Sequence, residues 1–189
     1  MNRGEDGILF LIVGPSGVGK DTLIVYAKAR LQGEKNFLFP IRFVTRAPDL
    51  GEETYHSLSP EAFEKYVAED RFALWWKAHD LDYGIGREIE SWIKEGKHVV
   101  VNVSRSIIDS ARQRFRHVVV LRIQASRESL ERRLRARRRE TREEIWARLD
   151  RSSAISVSGP GVLTVQNDGS IETAGEEFLG ILRRRCYGE

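Results

Sequence analysis

Seven consecutive residues, Gly14-Pro15-Ser16-Gly17-Val18-Gly19-Lys20, have the spacing G-x-x-x-x-G-K. Glycines at these points let the backbone curl until several N–H groups face one anion, and the closing lysine adds a formal positive charge. The apolar run Ile8–Val13 before the loop reads as a buried strand, and Lys20–Leu31 after it reads as a helix with Leu23, Ile24, Ala27 and Leu31 on one face. Strand, glycine loop and helix in that order form a cradle for the phosphates of ATP. The helix N-terminus supplies further positive potential, and Lys20 lies beside the phosphate to be transferred. The next position holds Asp21, where the motif ordinarily has a hydroxyl; the hydroxyl comes one later, as Thr22. A carboxylate next to a triphosphate repels it unless a cation intervenes. Asp21 is therefore expected to hold Mg²⁺, directly or through a water.

The elements that must position this loop follow an alternating pattern. Short strands are predicted at Ile41–Thr45, Phe72–Lys77, His98–Val103, Val118–Ile123 and Val162–Gln166. Between Arg46 and Leu58 the polar, Pro- and Gly-containing sequence predicts a loop with short extended pieces. Ser59-Pro60-Glu61 predicts a helix start: Ser caps, Pro suits the first helical position and Glu complements the dipole. Helices are also predicted at Gly86–Lys94, with Ile89 and Ile93 one turn apart, and at Ile171–Arg184. Ser126 is expected to cap an arginine-rich helix, and Thr141-Arg142-Glu143-Glu144 is a capping box opening another. Trp75 and Trp76, adjacent on a strand, should face opposite sides. The alternation implies an α/β fold with a parallel sheet and helices on both faces.

Composition narrows the class further. Of 189 residues, 41% are hydrophobic and 31% charged, which is globular and too apolar for disorder. No apolar run is long enough to span a membrane, and the run at Ile8–Val13 is too short for a signal-peptide core, so a cytoplasmic protein is expected. The single cysteine, Cys186, permits no internal disulfide framework. Lys and Arg total 31 against 28 Asp and Glu, and six of the eight residues from Arg132 to Arg139 are arginine. That stripe needs an anionic partner or a solvated face. It lacks the interleaved aromatics of a single-strand binder, so neither nucleic acid nor membrane is expected as a partner.

Thr45-Arg46-Ala47-Pro48-Asp49-Leu50-Gly51-Glu52, then Tyr55-His56 and Tyr83-Gly84, resemble the acceptor region of the guanylate kinase family, T-R-x-P-R-x-G-E followed by Y and Y-G. Leu130, Arg133, Leu134 and Arg137, with Ile145, Arg148 and Leu149, resemble that family's L-x-x-R-L-x-x-R lid and I-x-x-R-L helix. Asn167-Asp168 resembles its N-D pair near the adenine. The resemblance spans nearly the whole chain. It implies a P-loop NTPase, nucleoside monophosphate kinase-like three-layer fold with a central parallel sheet, in a single kinase domain over 1–189. An acceptor-binding insertion would lie around 37–86 and an arginine-rich lid around 127–142.

The guanine-reading carboxylates of that family are absent, Leu74 and Asn102 standing in their places, and Asp49 replaces the second acceptor arginine. Guanine N–H groups buried without acceptors would cost roughly 1–3 kcal/mol each. A narrower group accommodates the departures. Gly14–Asp21, Thr45-Arg46, Tyr83-Gly84-Ile85-Gly86, Val101-Asn102-Val103-Ser104-Arg105 and Asn167-Asp168-Gly169-Ser170 resemble the ribose 1,5-bisphosphate phosphokinase family, kinases of bacterial phosphonate breakdown. The resemblance implies ATP- and Mg²⁺-dependent conversion of ribose 1,5-bisphosphate to 5-phosphoribosyl 1-diphosphate, with a guanylate or other nucleoside monophosphate kinase as the alternative. On that basis Lys20, Arg137 and Arg148 are expected to neutralise the transferring phosphoryl group. Arg46, Tyr55 and Tyr83 are expected at the acceptor phosphate. Asn102 and Ser104 are expected at sugar hydroxyls, and Arg105 at the second phosphate. Asn167 and Asp168, with Gly14 to Thr22, would hold ATP. The partners are small molecules, and a homodimer is left open.

Overall fold

The computed structural model describes residues 6–47, 55–136, 157, 159 and 161–187. Contacts group the chain into two compact units, Met1–Phe10 with Glu34–Val118, and Leu11–Gly33 with Val119–Glu189. Five strands form one sheet in the order β2 (Phe37–Leu38), β7 (His98–Asn102), β1 (Leu9–Val13), β8 (Val118–Gln124) and β9 (Val162–Gln166). Every residue of β1 is buried. Its unbroken apolar run suits a strand covered on both faces, where polar alternation would bury unpaired groups.

In the first unit β2 and β7 pair in parallel. This unit also contains a second, mixed sheet in the order β4 (Tyr55–Ser57), β3 (Arg42–Val44), β6 (Leu81–Gly86) and β5 (Phe72–Ala78). β3 runs parallel to β4 and antiparallel to β6, and β6 runs antiparallel to β5. Helix α2 (Pro60–Ala68) begins as expected, with the Ser59 hydroxyl accepting from the Ala62 N–H at 3.2 Å. Its Phe63 and Tyr66 rings pack with Phe72 on one side of this sheet, and Phe43 joins them. Helix α3 (Glu88–Lys94) follows β6, and a 3₁₀ turn at Arg105–Ile107 leads from β7 into α4 (Ile108–Arg114).

The second unit pairs β8 with β9 in parallel, from Val120 opposite Val162 to Gln124 opposite Gln166. It carries α1 (Lys20–Arg30), α5 (Arg127–Ala136) and α6 (Ile171–Tyr187). Helix α6 buries Ala174, Phe178, Leu179 and Leu182 along one stripe. It meets α1 at Gly175, where a Cβ would come 2.5 Å from the Tyr26 ring. Ser126 caps α5 as expected, its hydroxyl accepting from the Ser129 N–H at 3.2 Å. No helix among the described residues is long and apolar enough to cross a membrane.

One expectation needs correcting, and some elements carried no sequence signal. Gly86 ends β6 instead of opening a helix, which starts two residues later at Glu88. The β5–β6 hairpin escapes the sequence because its two-residue turn is His79-Asp80, both at positive φ (52° and 59°), where Asn-Gly would be the usual signal. Tyr55–Ser57 forms a three-residue strand, one of the short extended pieces expected between Arg46 and Leu58. β2, of two residues, and α4 carry too little periodic pattern to be seen. Trp75 and Trp76 do face opposite sides: Trp75 is 48% exposed and Trp76 only 7%.

Candidate active site

In the second unit the loop between β1 and α1 has Gly17 at φ 84° and Gly19 at φ 96°. A side chain at either position would be strained by the backbone and would also collide. A Cβ on Gly17 would sit 2.9 Å from Leu134 Cδ2, and one on Gly19 would sit 2.5 Å from Asn167 Nδ2. α1 begins at Lys20 after Gly19, which gives no side-chain cap, so the positive end of the helix lies at this loop. The Lys20 ammonium folds over the same loop, donating to the Gly14 carbonyl at 2.8 Å and the Pro15 carbonyl at 3.0 Å. Asp21 and Thr22 are exposed on the first turn of α1.

Two residues distant in sequence lock the loop from outside. Asn167, only 3% exposed, donates its Nδ2 to the Val18 carbonyl at 2.7 Å. Arg133 Nη1 donates to the same oxygen at 3.2 Å. Asp168 Oδ1 accepts from the Ser126 N–H at 2.7 Å, and Oδ2 accepts from Gln166 Nε2. The Gln166 bond, then those of Ser126, hold the Asp168 carboxyl well below the usual carboxylate range. Arg133 is the residue that sequence reasoning passed over in favour of Arg137. Its signal was present: it sits between Leu130 and Leu134, both buried, so it shares the inward side of α5. Arg137 and Arg148 lie outside the described residues.

In the first unit, register fixes which acceptor residues share a face. Val44 opposes Tyr83, and Trp76 opposes Tyr83 from the other side. The Trp76 and Tyr83 rings stack with centroids 5.4 Å apart and planes 6° apart. Gly84 points the opposite way, and a Cβ there would lie 2.5 Å from the Phe72 ring, which explains the glycine of the Y-G pair. Arg46, exposed just past β3, holds its guanidinium 5.9 Å from the Tyr55 ring centroid. The Tyr55 hydroxyl donates to the Ala47 carbonyl at 2.8 Å, and the Ser57 hydroxyl donates to the Arg46 carbonyl. Arg46 and Tyr55 are therefore together, and Tyr83 lies on the same sheet.

Asn102 is buried, 8% exposed, at the end of β7. Ser104 caps the 3₁₀ turn, accepting from the Ser106 N–H at 3.4 Å, and half-buried Arg105 opens that turn. Leu74 is buried opposite Ile85 and presents no acceptor. It lines a cavity of about 480 Å³ with Phe72, Trp75, Ile107, Gln113 and Arg114. None of the expected acceptor residues lines that cavity, and its one arginine is already paired to Glu90 at 2.6 Å.

The guanylate kinase family model matches residues 7–176. The chain is 44% identical over 180 residues to a ribose 1,5-bisphosphate phosphokinase of Chromobacterium violaceum, covering 95% of each chain. It is 38% identical over 178 residues to that of Thiobacillus denitrificans, covering 94% of each. The chain belongs to the ribose 1,5-bisphosphate phosphokinase family, within the guanylate kinase-like proteins. A guanylate kinase structure from Anaplasma phagocytophilum matches with a TM-score of 0.70 at 20% identity, covering 97% of this chain and 88% of that one. That likeness bears out the α/β P-loop kinase fold with its central parallel sheet. A kinase fold, an intact phosphate loop and kinase relatives together make the protein a phosphotransferase acting on small molecules.

Proposed function

We propose that this kinase transfers the γ-phosphoryl group of ATP to ribose 1,5-bisphosphate, giving 5-phosphoribosyl 1-diphosphate and ADP. An oxygen of the sugar's 1-phosphate attacks the γ-phosphorus, and the bond to the β-phosphate bridging oxygen breaks. The attacking oxygen is already anionic, so the protein needs no general base; its work is positioning and charge neutralisation. The observation that carries the reading is the pairing of an intact phosphate loop with buried, non-acidic Leu74 and Asn102 where base-reading carboxylates would be required. The kinase relatives support the same acceptor.

In this reading the N–H groups at the start of α1 and Lys20 grip the ATP phosphates, while Asn167 and Arg133 keep the loop curled. Asp168, held ionised, fixes the segment between β9 and α6 against Ser126, on the adenine side. Arg46, Tyr55 and Tyr83 bind an acceptor phosphate, Asn102 and Ser104 the sugar hydroxyls and Arg105 the second phosphate, with Arg137 and Arg148 neutralising the transferring phosphoryl group. The lid spans about 127–142 and the acceptor insertion about 37–86, both in a single kinase domain. Asp21 is a hard oxygen donor on the loop's first helical turn. A single carboxylate suits Mg²⁺, which keeps several waters and is otherwise held by substrate phosphates. Bound there, the ion would neutralise phosphate charge. We place the reaction in the cytoplasm, where ATP is supplied. The test is a coupled ADP-release assay on ribose 1,5-bisphosphate, GMP, dGMP and AMP in parallel. The expected result is the highest kcat/KM on the bisphosphate; a tenfold preference for GMP would establish the nucleotide kinase instead.

A further inference from the structure

The acceptor sheet carries a second arginine on the face that binds phosphate. β3 and β4 pair in parallel with Arg42 directly opposite Tyr55 and Val44 opposite Ser57. Register partners project to the same side, and side chains two apart on a strand share it. The side is identified independently by its rings. Phe43, between Arg42 and Val44, contacts His56 with centroids 4.9 Å apart on the other side, with Tyr66 and Phe72. Val44 instead shares its side with Tyr83 and the stacked Trp76. The ladder runs one residue past β3, since the Thr45 N–H donates to the Asp82 carbonyl at 3.0 Å. Arg46 follows at a bend, and its guanidinium lies over the Tyr55 ring, 5.9 Å from the centroid. Tyr55 is opposite one arginine and beneath the other.

We propose that Arg42 is a second acceptor-phosphate ligand, acting with Arg46 across Tyr55. This rests on the reading of that face as the acceptor site. Two forks converging on one phosphate bind its three terminal oxygens better than either alone, and a planar guanidinium matches that geometry where an ammonium does not. The arrangement also answers a deficit in the sequence. The acceptor motif has Asp49 where the guanylate kinase pattern has its second arginine, and a bisphosphate brings more negative charge than a nucleoside monophosphate. Arg42 restores the cation from inside the sheet, half-buried, where its conformational freedom is already restricted.

The experiment compares wild type, Arg42→Gln and Arg42→Lys for kcat, KM of ribose 1,5-bisphosphate and KM of ATP, with a thermal melt of each. Loss of a charge-assisted bidentate contact should raise the bisphosphate KM about tenfold to a hundredfold in Arg42→Gln. The ATP KM should stay within about twofold of wild type, and Arg42→Lys should be intermediate because it keeps the charge without the fork. A bisphosphate KM unchanged in both variants, or an ATP KM rising in step with it, would overturn the assignment. If the Gln variant does not fold, the Lys variant decides by the same criterion. Wild type tested on GMP separates the two readings. Activity on GMP alone would overturn the proposed acceptor, and the Arg42 variants would then be judged on the KM for GMP.

Discussion

Replacing Gly19 by Ala should damage the phosphate loop through two separable effects, and the structure says how to separate them. The first is backbone strain. Gly19 sits at φ 96°, and a Cβ in left-handed backbone costs about 1–2 kcal/mol. The second is collision: the new methyl would lie 2.5 Å from Asn167 Nδ2, so Asn167 must move. Moving it breaks the 2.7 Å bond to the Val18 carbonyl at a buried site, a loss of roughly 1–3 kcal/mol. Gly19→Ala should therefore lose about 2–5 kcal/mol in all. In an Asn167→Ala background the obstacle and the bond are both already gone, and only the strain should remain. The four proteins form a double-mutant cycle, read by urea unfolding, with an expected coupling of about 1–3 kcal/mol. If the two substitutions add to within about 0.5 kcal/mol, the close approach of Asn167 to Gly19 is not what fixes the loop, and the reasoning fails.

Lys20→Ala should lower kcat by about a hundredfold or more while the protein still folds, since the bonds of its ammonium to the Gly14 and Pro15 carbonyls lie within the loop itself; near-normal turnover would remove it from the phosphoryl-transfer site. Asp21→Asn should raise the Mg²⁺ concentration for half-maximal rate more than it raises the sugar KM, and an unchanged Mg²⁺ dependence would make Asp21 only a residue of the helix start. The Asp168 carboxyl is depressed below its ordinary 3.8, so the unfolded chain binds more protons there as pH falls. Its stabilising effect is complete above that ordinary value and declines as pH falls toward the folded one. The urea midpoints of wild type and Asp168→Asn should accordingly differ most near pH 5 and converge toward pH 2.5; a gap that stays constant would contradict the ionised role.

The sequence by itself determined the local parts of this protein. The G-x-x-x-x-G-K spacing between an apolar run and an amphipathic one is a local code. The backbone needs glycine at Gly17 and Gly19 whatever packs around them, and β1 and α1 lie where periodicity put them. The Ser59 and Ser126 caps were equally legible, because a cap is made within one turn of its own residue. Tertiary structure decided what depends on distant partners. The β5–β6 hairpin has a turn with no sequence signal, since cross-strand pairing holds His79 and Asp80 in a conformation they seldom choose alone. Arg133 and Arg137 look alike in a run of arginines. Only the placement of α5 on the loop reveals that Arg133 reaches the Val18 carbonyl. Asn167 comes 149 residues after Val18 and is recognisable as the loop's lock only when β9 sets it there. Arg42 has no motif of its own; the register of β3 against β4 gives it Tyr55 as a partner, because strand parity becomes a shared face only once the strands are paired.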